Sequence, residues 1–386
     1  MNKKYISIIL SLFLLVSLTG CSEKEPAVDV ATEEVIDEKI TLLTLGDNLL
    51  HMPVVNSGKK EDGTYDYTHI FAKLQPRIKN ADIAVIGQET VFGGEELGYS
   101  GYPMFNSPSD MGKTLVKEGF DVVLHASNHI LDRRSEGVEN TLAFWNKYPD
   151  TLVLGINENA EEKETVDIIE KKGAKLAMLN YTYSTNGLVL PEGKEYLVNY
   201  IDEDKIQSDA EYAEKNADFT IAFMHWGTEY STKPDEAQKA LAEKMCQWGV
   251  DLIVGSHPHV IEPLEWVESE NGNRMLVYYS LGNFVSRQLD AINLLGGMAD
   301  VTLRYDGETV EIESYEFVPI VTHYDTSYTN FAVYTLDSYT NELASQHGVA
   351  AHNGAVSVER WQGMVDSIFE GYSLQGIKLS AGKEVK

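Results

Sequence analysis

Two histidines bracket a proline in Gly255-Ser256-His257-Pro258-His259, directly after an apolar run. Imidazoles at i and i+2 on a strand-end loop can both face neighbouring metal ions, with the proline stiffening the loop. Taken alone, the segment fits two unrelated surface histidines equally well. Four other segments share its form. Apolar runs also end at Gly46-Asp47, at Gly87-Gln88-Glu89, at Ala126-Ser127-Asn128-His129 with Asp132 following, and at His225-Trp226-Gly227-Thr228-Glu229-Tyr230. Carboxylate, amide oxygen and imidazole together suit Mn, Zn or Fe. One carboxylate can bridge two ions about 3.5–4 Å apart, an arrangement that clamps phosphoryl chemistry. Packing does not explain five strand ends that each deliver Asp, Glu, Asn or His, so the joint set reads as a metal site. Competing chemistries lack their signatures. No Gly-rich phosphate loop follows a strand, and no nucleophile elbow is present.

The elements that must position these residues are short. Apolar runs predict strands at 40–45, 82–86, 121–124, 153–154, 219–224 and 251–254, the first ending in a loop at Gly46-Asp47. Helical spacing covers 68–79, where Pro76 must bend or end the helix. It also covers 109–118 with a Ser109 cap, 135–147, and 235–248 between a Pro234-Asp235 start and a Gly249 stop. Hairpin patterns surround Lys172-Gly173, Asn271-Gly272-Asn273 and Asp306-Gly307. The last stretch carries helical patterns near 332–347 and 358–372. Helices alternating with strands, then hairpins, suggest two packed sheets with helices outside. In such α/β sheets ligands bind beyond the carboxyl ends of strands, where the candidate residues fall.

The order Gly-Asp, Glu, Asn-His, His-Trp-Gly-x-Glu-Tyr and Gly-x-His-Pro-His resembles the CapA poly-γ-glutamate capsule biosynthesis family, within the calcineurin-like metallophosphoesterase superfamily. Tyr279-Ser280-Leu281-Gly282-Asn283-Phe284 and the Pro234, Gln238 and Leu241 positions extend the resemblance, which runs from about residue 40 to 284 and more weakly to 318. It implies a four-layer α/β/β/α sandwich of metallophosphoesterase type holding two divalent ions. Asp47 and His259 would bind one ion, Glu89 would bridge, and Asn128, His225 and His257 would bind the second. His129 would be the general acid. Asp132 would orient His129, or equally cap a helix. Glu229 would hold a ligand or a substrate ammonium, or be a plain surface carboxylate. Asn283 joins it as a substrate-binding candidate. Trp226, Tyr230 and Tyr279 could wall the site or pack the core.

Departures from the family pattern matter. Leu49 stands where the superfamily places a metal-binding His, and His51 is the one nearby substitute. His125 either extends the site or packs. Gln88 replaces the family's Leu or Pro.

The N-terminus sets the compartment. Lys3 and Lys4 precede an apolar run, shorter than the about 20 residues a membrane span needs, that ends in Leu18-Thr19-Gly20-Cys21. This reads as a lipoprotein signal over 1–20 with Cys21 as the acylated residue, anchored stably by its two or three chains. Residues 21–38 read as an acidic flexible tether, 39–320 as the metal-binding domain, and 321–386 as a helical extension packed on it. An extracytoplasmic, lipid-anchored protein follows, with membrane synthase subunits as expected partners and an anionic polymer or a phosphoester as expected substrate. Cys246 is the second of two cysteines, so the mature body holds no internal disulfide. The formal charge of −29 excludes nucleic acid as a general partner and opposes bulk binding of polyanions except at a metal centre.

Overall fold

The computed structural model describes residues 36–372; the leader, Cys21 and most of the expected tether lie outside the described residues. Fourteen strands are assigned there. In chain order they are β1 (Glu38–Asn48), β2 (Ile83–Gly87), β3 (Val122–Leu124), β4 (Leu152–Leu154), β5 (Asp167–Lys171), β6 (Ala174–Thr182) and β7 (Phe219–His225). Then follow β8 (Leu252–Ser256), β9 (Ile261–Glu268), β10 (Arg274–Leu281), β11 (Asn283–Val285), β12 (Leu295–Tyr305), β13 (Val310–His323) and β14 (Ala332–Thr335).

They form two sheets. The first runs β14-β13-β12-β1-β2-β3-β4, with β11 pairing alongside the end of β1. Within it β1 to β4 are parallel, while β12, β13 and β14 return antiparallel. The second runs β5-β6-β7-β8-β10-β9, with β6, β7, β8 and β10 parallel between antiparallel edges. Parallel neighbours require crossover connections, and these supply the outer helices.

Side-chain alternation along the second sheet shows why the layers stack. Leu176, Met178, Ile221, Phe223, Leu252, Val254, Leu276 and Tyr278 belong to the core shared with the first sheet. Their neighbours Ala177, Leu179, Ala222, Met224, Ile253 and Val277 point the other way. There they meet Ile206, Ala210 and Ala213 of helix Glu203–Asn216 and Leu241, Ala242 and Met245 of helix Glu236–Gln247. Helices Asp110–Glu118 and Arg134–Trp145 contribute Met111, Leu115, Phe144 and Trp145 to the core of the first sheet. The result is two central sheets flanked by helices, the predicted α/β/β/α layering. Cys246 is buried in the second-sheet helix layer, a free thiol.

Several local expectations change. β1 continues through Gly46 and Asp47 to Asn48, because Asp47 N–H donates to Gly282 O at 3.0 Å and β11 pairs beside it. Gly46 is required at this crossing: a Cβ there would lie 2.0 Å from Gly282 O. The 68–79 pattern splits into helices Thr68–Phe71 and Gln75–Asn80, with Pro76 in the first turn of the second, where its missing N–H costs nothing. Ser109 occupies the N-cap position but makes no side-chain capping bond. In contrast, Asp235 and Gln238 form a full capping box.

The 332–347 segment is not one helix. Ala332–Thr335 is the edge strand β14, held against β13, and helix Asn341–Gln346 follows after a turn. Alternating Ala332, Val333, Tyr334 and Thr335 suit a half-buried strand, and tertiary pairing overrides the helical reading. The described part of the C-terminal region packs into the main core. Trp361, Val365 and Phe369 join the main cluster, and the Phe369 ring lies 5.0 Å from that of Phe317. Among the described residues no helix is long and apolar enough to cross a membrane.

One buried carboxylate away from the strand ends makes stability depend on pH. Glu262 in β9 accepts a bond from Gln238 Nε2 at 2.8 Å through one oxygen, and its other oxygen has no partner. Burial pushes its pKa from 4.5 up to about 8. The unfolded chain therefore releases this proton near 4.5 while the folded chain keeps it to about 8, so folding stability falls as pH rises across that window. Glu262→Gln should melt with the parent near pH 4.5 and about 2–4 °C or more above it at pH 8.5. Equal melting temperatures at both pH values would show that the carboxyl carries no such linkage.

Candidate metal centre

The expected residues converge at the carboxyl ends of strands from both sheets. Asp47 lies at the end of β1, Glu89 just beyond β2, Asn128 and His129 beyond β3, His225 at the end of β7, and His257 and His259 beyond β8. All seven are buried. Below them a narrow gap between the sheets is lined by Asp47, Glu89, Asn180, His225 and Ser256.

Each side chain is held by its element. Asp47 Oδ2 accepts the backbone N–H of His257 at 2.9 Å, which ties the two sheets together across the centre. That bond also supports an unfavourable backbone, since His257 has φ 97 and His259 has φ 59. Positive φ at non-glycine residues costs free energy and is concentrated at functional sites. Tyr230 N–H donates to Pro258 O at 2.8 Å and pins the same loop from the other side. His259 Nδ1 meets Asn283 Oδ1 at 3.0 Å, which turns Nε2 inward, 3.8 Å from Glu89 Oε1.

His225 Nδ1 contacts Ser256 Oγ at 3.0 Å, while its Nε2 lies 2.9 Å from Asn128 Oδ1. Two donor atoms bound at about 2.1 Å on adjacent positions of one ion would lie about 3 Å apart, so this spacing also fits joint ligation. The His225 and His257 rings are 4.9 Å apart. On the opposite side His129 Nδ1 contacts Asp132 Oδ2 at 2.8 Å, and the same oxygen takes Phe105 N–H at 2.6 Å. Asp132 therefore serves His129 rather than a helix cap; the helix that follows begins after Arg133.

The electrostatics ask for a cation. Glu89 is buried, and among the described residues neither of its carboxylate oxygens has a hydrogen-bond partner. Burial first, then the neighbouring Asp47, holds its pKa well above the usual value. Burial likewise raises Asp47 to about 7, against bonds from His257 and Ser256 that lower it. The histidines shift the opposite way. Burial lowers His257 to about 3 and His259 to about 4, and it drives His225 well below the usual range with help from the other two rings. Since His225 is neutral, its 3.7 Å approach to Asp47 is a contact rather than an ion pair. The neutral imidazoles are already in the form a divalent ion binds, and the two carboxyls that burial keeps protonated would lose their protons to it on binding. Asp47, Glu89 and His259 place ligand atoms within 4.8 Å of one another, and so do Glu229, His257 and His259. The donor set therefore fits divalent metal.

The remaining candidates separate cleanly. Glu229 is exposed, yet its carboxylate reaches the two histidines of the loop. Asn283, expected at the substrate, is buried, and its amide N–H groups are turned to His259 O, Gln288 and Asn293 O, so it positions His259 instead. His51 stays outside both groups: its Nδ1 accepts Arg287 N–H at 3.3 Å and its ring lies edge-on to Phe105 at 5.3 Å. Leu49 is buried, with its N–H on Val285 O. His125 packs away from the centre and accepts Trp145 Nε1–H at 2.8 Å. Gln88 bonds Asn48 and Thr90. Trp226 and Tyr279 stack in the core, with Trp226 Nε1–H on Tyr279 O, whereas Tyr230 stands exposed 6.1 Å from the His259 ring. Sequence reasoning missed Ser256, which sits inside the quoted motif, and Tyr183 and Asn186, whose turn carried no ligand signature.

Sequence comparison identifies the family. The profile of the family described as bacterial capsule synthesis protein PGA_cap matches residues 41–288, and the chain belongs to that family. Capsule biosynthesis protein CapA of Bacillus anthracis is 27% identical over 297 residues, covering 74% of this chain and 69% of that protein. PGA biosynthesis protein CapA of Bacillus subtilis (strain 168) is 33% identical over 185 residues, covering 46% of this chain and 45% of that protein, so the match spans under half of that relative. Among solved structures, the calcineurin-like phosphoesterase YfkN from Bacillus subtilis superposes with a TM-score of 0.42 at 14% identity, over 87% of this chain and 98% of that one.

Glu89→Gln separates the carboxylate's two effects. Without metal, at pH 8, the variant should be more stable than the parent by about 1–3 kcal/mol, because a buried ionisable group without partners is removed. With Mn²⁺ at about a hundred times its dissociation constant, the parent should gain about 2.7 kcal/mol and the variant little. Thermal melts with Mn²⁺ and with EDTA check both; an equal metal response would remove Glu89 from the ligand set.

Proposed function

We propose that this chain is an extracytoplasmic, lipid-anchored protein that processes a capsule polymer of the poly-γ-glutamate kind at a two-ion centre, alongside membrane synthase subunits. The observation that carries the chemical part is the pair of unpartnered oxygens on buried Glu89. Glu89 would be shared by the two ions, with Asp47 and His259 holding one and Asn128, His225 and His257 holding the other. The donor types suit Mn, Zn or Fe. Family membership and the lipobox at Cys21 support the setting.

Bound divalent ions would supply Lewis acidity and an acidified water. The chain's residues do the rest. His129 is fixed through Nδ1 by Asp132, which leaves Nε2 facing the centre, 3.9 Å from Glu89 Oε1. From there it can give a proton to a departing oxygen or nitrogen. Ser256 and Asn283 hold the imidazoles of His225 and His259 through their Nδ1 atoms. Exposed Glu229 stands where a substrate ammonium would lie.

The same centre suits a phosphoester, and the formal charge of −29 favours that second reading for small substrates that bring little negative charge of their own. A panel decides between them. Mn²⁺-loaded protein should turn over poly-γ-glutamate or a phosphoester, lose that turnover with EDTA, and fall by about 10²–10⁴ in His129→Ala with metal content unchanged. Turnover that survives EDTA, or a fully active His129→Ala variant, contradicts the proposal.

A further inference from the structure

Beyond β6 the chain leaves the second sheet through Tyr183 and reverses in a tight turn. Leu188 N–H donates to Thr185 O at 2.9 Å, and the two central residues, Asn186 and Gly187, have φ 53 and 73. Both central residues in the left-handed region describe a type I′ geometry, for which Asn-Gly is the favoured pair. The turn brings two side chains to the rim of the centre.

Tyr183 is fixed first. Its backbone N–H donates to His225 O at 3.0 Å, so it sits beside a candidate ligand by construction. Its ring lies 4.4 Å from that of His257, and its hydroxyl is within reach of Asn128 and Ser184. Even so, the residue is 43% exposed. A large aromatic side chain tilted at 42° against a site histidine and still open to solvent offers exposed ring surface.

Asn186 is placed between the two sides of the chemistry. Its Oδ1 accepts Asn128 Nδ2–H at 3.3 Å. Its Nδ2 lies 3.5 Å from His129 Nδ1. That second approach joins two donors, because His129 Nδ1 already donates to Asp132 at 2.8 Å. Asn186 is itself exposed, so its amide N–H groups stand at the rim beside His129, open to an acceptor arriving from solvent.

A groove continues from Tyr183 past Thr185, Leu188, Leu190 and Tyr200. The lysines on its wall are engaged: Lys163 donates to Glu195 O, and Lys205 pairs with Asp209 and Glu164. The groove presents rings, hydrogen-bonding groups and the carboxylates Glu164, Glu195 and Asp202 rather than free positive charge, so a ligand there is held by its backbone amides and not by its charge.

We propose that Tyr183 and Asn186 form the subsite for the leaving portion of the substrate. It rests on the function proposed above. Tyr183 supplies a flat face, and Asn186 donates an N–H to a carbonyl oxygen next to the bond that breaks. Such a subsite selects an amide-linked oligomer over a compact monoester, and the groove beyond holds further residues of the oligomer.

The test is calorimetric titration of the Mn²⁺-loaded chain with a γ-linked glutamyl oligomer of several residues and, separately, with inorganic phosphate. Tyr183→Ala and Asn186→Ala are compared with the parent, with metal content measured in each. Both variants should keep their metal and their phosphate affinity, while oligomer affinity falls by about tenfold or more, the scale of one lost stacking or hydrogen-bond contact. Unchanged oligomer affinity in both variants overturns the subsite. So does a loss that tracks metal content or phosphate affinity, or a parent chain that binds no oligomer. Because binding is read without turnover, a parent that binds the oligomer but cleaves nothing contradicts the proposed function and leaves the subsite standing.

Discussion

Two carboxylates, Asp47 and Glu89, are buried side by side where the two sheets meet, and the arrangement around them follows from that. Charges taken out of water are costly unless paired, and like charges in one crevice raise each other's pKa. Asp47 has some relief from the His257 amide and from Ser256, but Glu89 has no hydrogen-bond partner among the described residues. Neutral imidazoles stand around them instead of arginines or lysines. A fold that wanted only stability would fill this space with apolar side chains. The buried donor atoms make sense as a cradle for divalent ions, which would offset these costs together.

The rest of the scaffold serves that cradle. Parallel strands of both sheets end on the same side, and β1, β2, β3, β7 and β8 each contribute a candidate residue at or just beyond that end. Close approach is secured by small residues: Gly46 lets β1 cross Gly282, and a Cβ on Gly255 would fall 2.0 Å from Tyr279 O. The left-handed backbone at His257 and His259 is the cost of aiming both imidazoles inward, and the Asp47–His257 bond helps to hold it. An outer ring of Ser256, Asn283 and Asp132 then fixes the rotation of three histidines.

Much of this was legible in the sequence because strand ends with polar residues break the apolar pattern abruptly. Asp47, Glu89, Asn128, His225, His257 and His259 were all visible in that way, and they come together. The roles of outer-ring residues were harder to see. Asn283 looks like any polar residue near a site, and only the geometry shows its Oδ1 spent on His259. Tyr183 and Asn186 belong to an ordinary turn in sequence, and their importance arises from the crossover that lays the turn over His257 and His129. The layers were readable from strand and helix order, but β14 was not. Its four residues, followed by a helical pattern, gain strand identity from pairing with β13, which no local propensity encodes. The C-terminal helix posed the same difficulty, since Trp361 and Phe369 reveal their place in the core only once the sheets exist.

The central claim is that the buried carboxylates and imidazoles are ligands rather than a packed polar cluster. Anomalous diffraction from crystals soaked in Mn²⁺ tests it most directly. The account predicts two peaks sharing Glu89, one beside Asp47 and His259 and the other beside Asn128, His225 and His257, separated by about 3.5–4 Å. A map with no peak at the strand ends, with ions bound elsewhere and Glu89 still unliganded, would contradict it.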